Sequence, residues 1–318
     1  MPYLIRADVL LIQKLQQRFS FSDFSRFVDN YIMWEEVVPN IPADLQGDRY
    51  TDMWGATWAD VGVTRGYVIH HPLQAPTLKG HALPDSCPDE AIDRLRRLRQ
   101  QKADRFLLVK LGDLFERAHF LRGMEQLMMD MYDHPSFVEA LFERITAYNL
   151  SVINRLADAN IGIDGLSLSD DYGWQRGLLI SPSMWRRFVK PHLQAIFGCI
   201  RDRGFHALLH SDGDISPVVR ELVDMGVEVL HPVQPEVMDT LTIKQEYGSV
   251  LTLFGGIGTQ YTLPHSSPVE IKSQVRAVCR ALGTGGGFIL APGLGMNHDV
   301  PVENALAFIE VAMNQRTV

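Results

Sequence analysis

The chain has 318 residues, 46% of them hydrophobic and 21% charged, close to ordinary globular usage, which excludes disordered, collagen-like and low-complexity classes. Its 30 basic and 38 acidic residues leave a net charge of −8, which argues against nucleic acid as a main partner because phosphate binding needs a basic face. No apolar run approaches the roughly 18 residues of a membrane span; Cys87, Cys199 and Cys279 form no CxxC pair, and no signal-peptide pattern opens the chain, so a reducing, cytoplasmic location is expected.

Residues 1–45 read as helical with an irregular end. Ile12, Leu15 and Phe19, then Phe24, Phe27 and Val28, recur at roughly helical spacing, and Pro39 and Pro42 stop the pattern. Tyr50–Trp58 and Val61–His70 are aromatic and β-branched around Asp60 and Gly62, which predicts a small hairpin. Pro72, Pro76 and Pro84 mark a loop. Pro88–Lys102 predicts a charged helix whose outer face carries Arg94, Arg96, Arg97 and Arg99. That face reads either as an anion patch or, more simply, as a solvated helix surface.

A regular rhythm follows. Apolar runs at Phe106–Leu111, Ile163–Leu168, Ala207–His210, Val227–Leu230, Leu251–Phe254 and Phe288–Ala291 predict strands. They alternate with helices over 114–131, 135–157, 182–203, 217–225, 237–247, 268–282 and 302–313. Alternating βα units mean a parallel sheet covered on both faces. Six strands are visible and a closed barrel wants eight, so periodicity alone leaves an open doubly wound sheet possible.

In either architecture ligands meet the C-terminal strand ends. Those ends are rich in polar residues: Gly112-Asp113 with Glu116, Asp170-Asp171-Tyr172-Gly173-Trp174, His210-Ser211-Asp212-Gly213-Asp214, His231-Pro232-Val233-Gln234, and Pro292 through Asp299. Each has a bland reading. Asp170 or Asp171 could cap a helix, Asp214 could form the turn before Pro217, His206 at a strand entry is structural, and Gly285-Gly286-Gly287 is a turn. The Gly255–Gly258 run lacks dinucleotide-loop spacing. His210 and Asp212 alternate along an extended segment, so both side chains face one way. With a third group such as Asp171 they could ligate a divalent metal, or they could form an acid–base pair.

The segment Asp170-Asp171-Tyr172-Gly173-Trp174 through Leu179-Ile180-Ser181-Pro182 resembles the D-x-W-x-G…L-S-P stretch of the uroporphyrinogen decarboxylase superfamily. His210-Ser211-Asp212-Gly213 resembles its H-x-(C/D)-G strand end, Pro292-Gly293 through Pro301-Val302-Glu303-Asn304 its closing P-G…P-x-E-N signature, and Phe115-Glu116-Arg117 with Leu121-Arg122-Gly123-Met124 also fits. The resemblance covers residues 105–318 and implies a (β/α)₈ TIM-type barrel. One domain would then span 1–318, with 1–80 as a helical and hairpin part. The superfamily holds two chemistries: decarboxylation of porphyrinogen acetate arms without a cofactor, and methyl transfer to or from a corrinoid, often with a zinc-activated thiol.

Two departures bear on the choice. The decarboxylases' R-x-x-R-Q-A-G-R segment has no counterpart in residues 1–60, where Tyr31-Ile32-Met33-Trp34-Glu35-Glu36 stands instead, removing the cations a multi-carboxylate substrate needs. The zinc methyltransferases' His-x-Cys and distant Cys read here as His210-Ser211-Asp212 and Gly293-Leu294-Gly295. An oxygen and nitrogen site remains, for zinc or for no metal. The resemblance therefore implies a corrinoid-linked methyltransferase acting on a small methylated substrate, with the corrinoid on a partner protein. His210, Asp212 and Asp171 would be catalytic, and Tyr172, Trp174, Gln234 and His298 would line the pocket. The alternatives are a cofactor-free decarboxylase, for which a cation such as Arg176 or Lys190 should reach the pocket, and a non-catalytic barrel binding a tetrapyrrole or small acid. The family also implies a homodimer.

Overall fold

A computed structural model describes residues 1–38, 45, 47–60 and 66–314. Among these residues twelve strands follow in chain order: β1 (Ile32–Glu36), β2 (Tyr50–Thr51), β3 (Thr57–Ala59), β4 (Tyr67–His70), β5 (Phe106–Lys110), β6 (Gly165–Ser169), β7 (Gly173–Trp174), β8 (Gly177–Leu178), β9 (His206–His210), β10 (Val229–Val233), β11 (Thr252–Ile257) and β12 (Phe288–Pro292). Seven form one parallel sheet in the order β1-β5-β6-β9-β10-β11-β12. The sequence places the last six to within a few residues.

The two staves that periodicity leaves unplaced are both in the stretch read as helical. One is β1. The other is the first few residues, which run parallel to β12: Leu4 N–H donates to the Leu290 carbonyl (3.0 Å), Leu290 N–H to Pro2 (3.1 Å) and Met296 N–H to Arg6 (2.8 Å). Across the other edge, Tyr31 N–H reaches the Tyr3 carbonyl at 3.4 Å. The Asn30 amide substitutes for the next backbone pair, accepting from Ile5 N–H (2.7 Å) and donating to the Ile5 carbonyl (2.9 Å). The curled sheet thereby closes as a TIM-type barrel of eight staves. A central layer confirms the closure. Leu4, Ile32, Leu108, Leu208, Phe254 and Ala291 form one buried cluster with Val229 beside them, which is the layered filling such barrels use.

Helices cover the outside, among them Val9–Phe19, Asp89–Gln101, Pro135–Asp158, Pro268–Gly283 and Val302–Met313. Two single expected helices are interrupted. The one over 114–131 breaks at Gly123, whose φ of 87° lies in the left-handed region, where glycine carries no Cβ penalty. The one over 182–203 contains a π segment, Trp185–Val189, with Lys190 N–H bonded to Trp185. Pro191 has no N–H to give Arg187 and its ring would clash with that carbonyl, so the extra residue relieves both. The expected hairpin is a three-stranded antiparallel sheet, β2-β3-β4; residues 61–65, within its second expected strand, lie outside the described residues, as do Pro39 and Pro42. The arginine-rich helix is split between two roles: Arg94 meets Glu35 at 3.4 Å and Arg99 meets Asp164 at 3.3 Å, pinning the helix to the barrel, while Arg96, paired with Asp93 of the same helix at 2.9 Å, and Arg97 lie on its exposed face.

Candidate functional site

Side chains alternate along a stave, so the residue two after each central-layer residue faces the lumen one layer nearer the mouth. Two past Leu4 is Arg6, two past Ile32 is Trp34, two past Leu208 is His210 and two past Val229 is His231. These four meet. The Trp34 ring lies edge-on to His231 at 4.7 Å and to His210 at 6.3 Å, and the Arg6 guanidinium lies 5.4 Å from the Trp34 centroid. His210 and His231 are in register on adjacent strands, their Nδ1 atoms 2.7 Å apart. One of these nitrogens carries the hydrogen that bridges them. His231 is buried; burial first, then His210 and Arg6, hold its pKa well below the ordinary imidazole value.

His210 Nε2 lies 3.6 Å from Asp171 Oδ1. That same oxygen accepts from Asp212 N–H at 2.8 Å, so the strand ends of β6 and β9 are tied directly. His210, Asp212 and Asp171 each offer a donor atom, all within 4.8 Å of one another and none fully buried. Two oxygens and one nitrogen suit zinc or another borderline divalent ion, and three protein donors leave a position for substrate, as catalytic sites do. The sulfur-free donor set read from the sequence is therefore brought together.

The neighbouring acid has a different job. Asp170 accepts from Leu114 N–H (3.1 Å) and Glu116 N–H (2.9 Å), capping the helix Phe115–Arg122. Burial, chiefly, pushes its carboxyl well above the usual range. Of the four expected lining residues, Gln234 is buried and accepts Gly213 N–H at 2.7 Å, fixing the loop that carries Asp212. Trp174 is 61% exposed on the β7–β8 hairpin, whose backbone meets Asp214 at 2.7 Å. Tyr172 is a correction: it is wholly buried against Trp185 and does not face the mouth. His298 lies on the rim, bonded to Asp8 at 2.7 Å. Glycine is obligatory where hairpin and loop cross, since a Cβ on Gly173 would fall 2.3 Å from the Asp212 carbonyl oxygen.

Neither cation expected from the sequence reaches the site. Arg176 is exposed, and Lys190 pairs with Glu221 at 2.6 Å among the outer helices. Arg6 is the residue that sequence reasoning missed, and His231, which it placed at a strand end, was given no role. The available signal was Leu4-x-Arg6 in the same alternation as Leu208-x-His210, but five residues ahead of a helix do not announce a strand.

The sequence profile of the family described as uroporphyrinogen decarboxylase (URO-D) matches residues 71–315. Methylcobamide:CoM methyltransferase MtaA of Methanosarcina barkeri is 26% identical over 199 residues, which are 59% of this chain and 55% of that protein. Uroporphyrinogen decarboxylase of Pelobacter propionicus is 24% identical over 229 residues, 69% of this chain and 63% of its own. This chain thus spans between half and two thirds of the length of these relatives. A solved methyltransferase from Methanosarcina mazei superposes with a TM-score of 0.64 at 22% identity, covering 79% of this chain and 72% of that one; it supports the fold.

Proposed function

The chain belongs to the uroporphyrinogen decarboxylase family, and from that premise we propose that it is a methyltransferase acting between a small methylated substrate and a corrinoid carried by a partner protein. The observation that carries this reading is the convergence of His210, Asp212 and Asp171 donor atoms within 4.8 Å at the barrel mouth. The methyltransferase relative supports the reaction class.

His210, Asp212 and Asp171 would hold a divalent cation, zinc first among them. When bound, such an ion lowers the pKa of a coordinated thiol or hydroxyl and so supplies a nucleophile or a better leaving atom. The protein does the rest. His231 orients His210 through the Nδ1 contact; with the hydrogen on His210 Nδ1, the Nε2 lone pair is directed to the substrate side. Gln234 fixes the Asp212 loop through Gly213. The Trp174 hairpin provides an apolar rim against which a methyl-bearing group and a docked corrinoid can exclude water.

A second reading is favoured by Arg6, which brings a cation to the mouth. It is decarboxylation of a small acid: the carbon–carboxylate bond breaks, carbon dioxide leaves, and the electron pair left on carbon takes a proton delivered through His210 or Asp171. The test begins with elemental analysis of wild type, His210→Ala and Asp212→Ala purified without chelator. Near-stoichiometric zinc in the wild type, lost in both variants, followed by methyl exchange between methylcobalamin and small thiols, supports the first reading. Metal-free protein that releases carbon dioxide from a small acid supports the second. Ligand binding with neither turnover would leave a binding barrel.

A further inference from the structure

A cleft of about 660 Å³ opens along the seam between the first stave and β1, a volume within the range of small-molecule sites. The seam itself accounts for it. Among the described residues the two staves are joined only by the Tyr31–Tyr3 bond and the Asn30 amide. The helix Val9–Phe19, which connects them, is tied to the far side instead: Arg18 meets Glu303 at 2.6 Å and Lys14 donates to the His298 carbonyl at 2.8 Å. The short helix Phe24–Phe27 and the end of Asp89–Gln101 are left to wall the cleft.

Four cationic and four acidic side chains line it, so the cleft as a whole favours neither sign. Most are spent on one another. Arg105 meets Asp29 at 2.6 Å and Asp104 at 3.4 Å, and Arg26 meets Asp23 at 3.6 Å. Arg6 turns to the lumen over Trp34, with Glu36 and Glu35 acting on it. Two opposed charges remain partly used. Lys102 Nζ donates to Ser25 Oγ at 2.8 Å, and its other two N–H groups have no acceptor among the described residues. Asp23, which also feels Lys102, is spent capping Phe24–Phe27. Glu35 alternates with Trp34 and so points out of the barrel. Arg94 reaches its Oε2 at 3.4 Å, and its Oε1 accepts no hydrogen bond among the described residues. Lys102 and Glu35 act on each other through space but form no ion pair within 4.0 Å. Burial, chiefly, raises the Glu35 carboxyl against the pull of Arg94 and Lys102, as befits a carboxylate partly stripped of water. Apolar lining comes from Phe24, Ile5 and Met33.

We propose that this cleft is a second binding site, for a compact zwitterion with an apolar body. Its carboxylate lies on Lys102 and the neighbouring Gln101 amide, its ammonium on Glu35 and its apolar part against Phe24 and Met33. An apolar α-amino acid, or a dipeptide of such residues, has that chemistry. A plain anion would gain Lys102 but face Glu35, and a plain cation the reverse, so the two charges together specify a ligand that carries both. The site lies on the outer side of the wall that carries Trp34, and the inference does not use the reaction assigned to the His210 cluster.

Titration calorimetry on the full chain with L-leucine, L-phenylalanine and L-leucyl-L-leucine tests it, with N-acetyl-L-phenylalanine and L-phenylalaninamide as single-charge comparisons. At least one zwitterion should bind, and the tightest tells a free amino acid from a peptide. Each single-charge analogue should bind about tenfold or more weakly than phenylalanine, since a charge-assisted bond is lost. Lys102→Met and Glu35→Gln should each weaken binding to a similar degree, whereas Arg96→Ala, exposed on the same helix, should not. Hydrogen exchange read by mass spectrometry locates the ligand: protection should rise over residues 24–31 and 101–105 and not over 206–212. No binding of any zwitterion, single-charge analogues that bind as tightly, unchanged affinity in Lys102→Met, or protection confined to 206–212 would each overturn the proposal. Should both cleft variants fail to fold, the analogue series and the exchange pattern of wild type decide it alone. These readouts need no turnover, so a failure of methyl transfer leaves them standing.

Discussion

Replacing Asn30 with alanine tests the closure of the barrel and its coupling to the site. The Asn30 amide makes the two bonds that join Ile5 to the β1 side of the seam, at 2.7 and 2.9 Å. Among the described residues one backbone bond, Tyr31 to Tyr3 at 3.4 Å, lies beside them. Alanine removes both and leaves the N–H and carbonyl of a buried residue (Ile5 is 1% exposed) to whatever water enters. At about 1 kcal/mol for each bond the loss is about 2 kcal/mol. Spread over the unfolding entropy of a chain this long, that lowers the melting temperature by about 3 °C. Urea unfolding gives the free energy, and amide hydrogen exchange locates it. Protection should fall at Leu4 and Leu290, the pair on the opposite edge of the same stave, before it falls in β9 or β10. A variant within about 0.5 kcal/mol of wild type, with protection at Leu4 unchanged, would refute the argument that Asn30 holds the first stave.

Other consequences are separable from this one. His231→Phe keeps the ring contacts with Trp34 and Phe254 but removes the partner of His210 Nδ1; zinc affinity should fall about 10–100-fold, the usual cost of losing an orienting partner, as a chelator competition would show. Arg117 is shared by Asp52 at 2.8 Å and Asp113 at 3.0 Å, all three largely buried, so Arg117→Gln should cost about 3–5 kcal/mol in urea unfolding. Gly173→Ala should leave the barrel folded by circular dichroism yet reduce metal content, because the new Cβ would displace the Asp212 backbone. Asp8 caps the first helix through Leu11 N–H at 2.7 Å and holds His298. Burial alone would raise its pKa, but these hydrogen bonds outweigh it and hold the carboxyl below the ordinary value. Its stabilisation is therefore present above about pH 4, the unfolded value, and disappears as pH falls through the lower folded value. The stability gap between wild type and Asp8→Ala should be about 1 kcal/mol at pH 7 and close in acid. A gap that widens in acid would contradict that sign.

What could be read from the sequence was whatever repeats or clusters. Six staves follow one another as βα units, and the strand-end cluster His210, Asp212 and Asp171 is compact in sequence around two motifs. The remaining staves are hidden for identifiable reasons. Ile32–Glu36 ends in two glutamates, Glu35 and Glu36, and so resembles the polar side of a helix, although the latter half of that strand meets Arg94 instead of water. The first stave is too short to show alternation, and its pairing is with residues nearly the whole chain away. Asp170 and Asp171 could not be told apart from spacing; only the direction of the chain past β6 sends one inward to cap a helix and the other to the mouth. Tyr172 has the composition of a pocket residue and is a core residue, because the turn buries its ring against Trp185. The His210–His231 contact needed the β9–β10 register, which no local pattern encodes.

The pairing of Tyr3 with Leu290 also sets the order in which the molecule can be made. Of the barrel strands the first stave is made first, and the strand it pairs with is made last. At roughly 5–20 residues per second, synthesis separates them by about 15–60 s. Through that interval Leu4 and Ile5 have no β12 to lie against, and long-range closure is the slow kind of contact to form. The site cannot exist until the last barrel strand is made: Arg6 joins His210 and His231 only once β12 has arrived to hold the first stave.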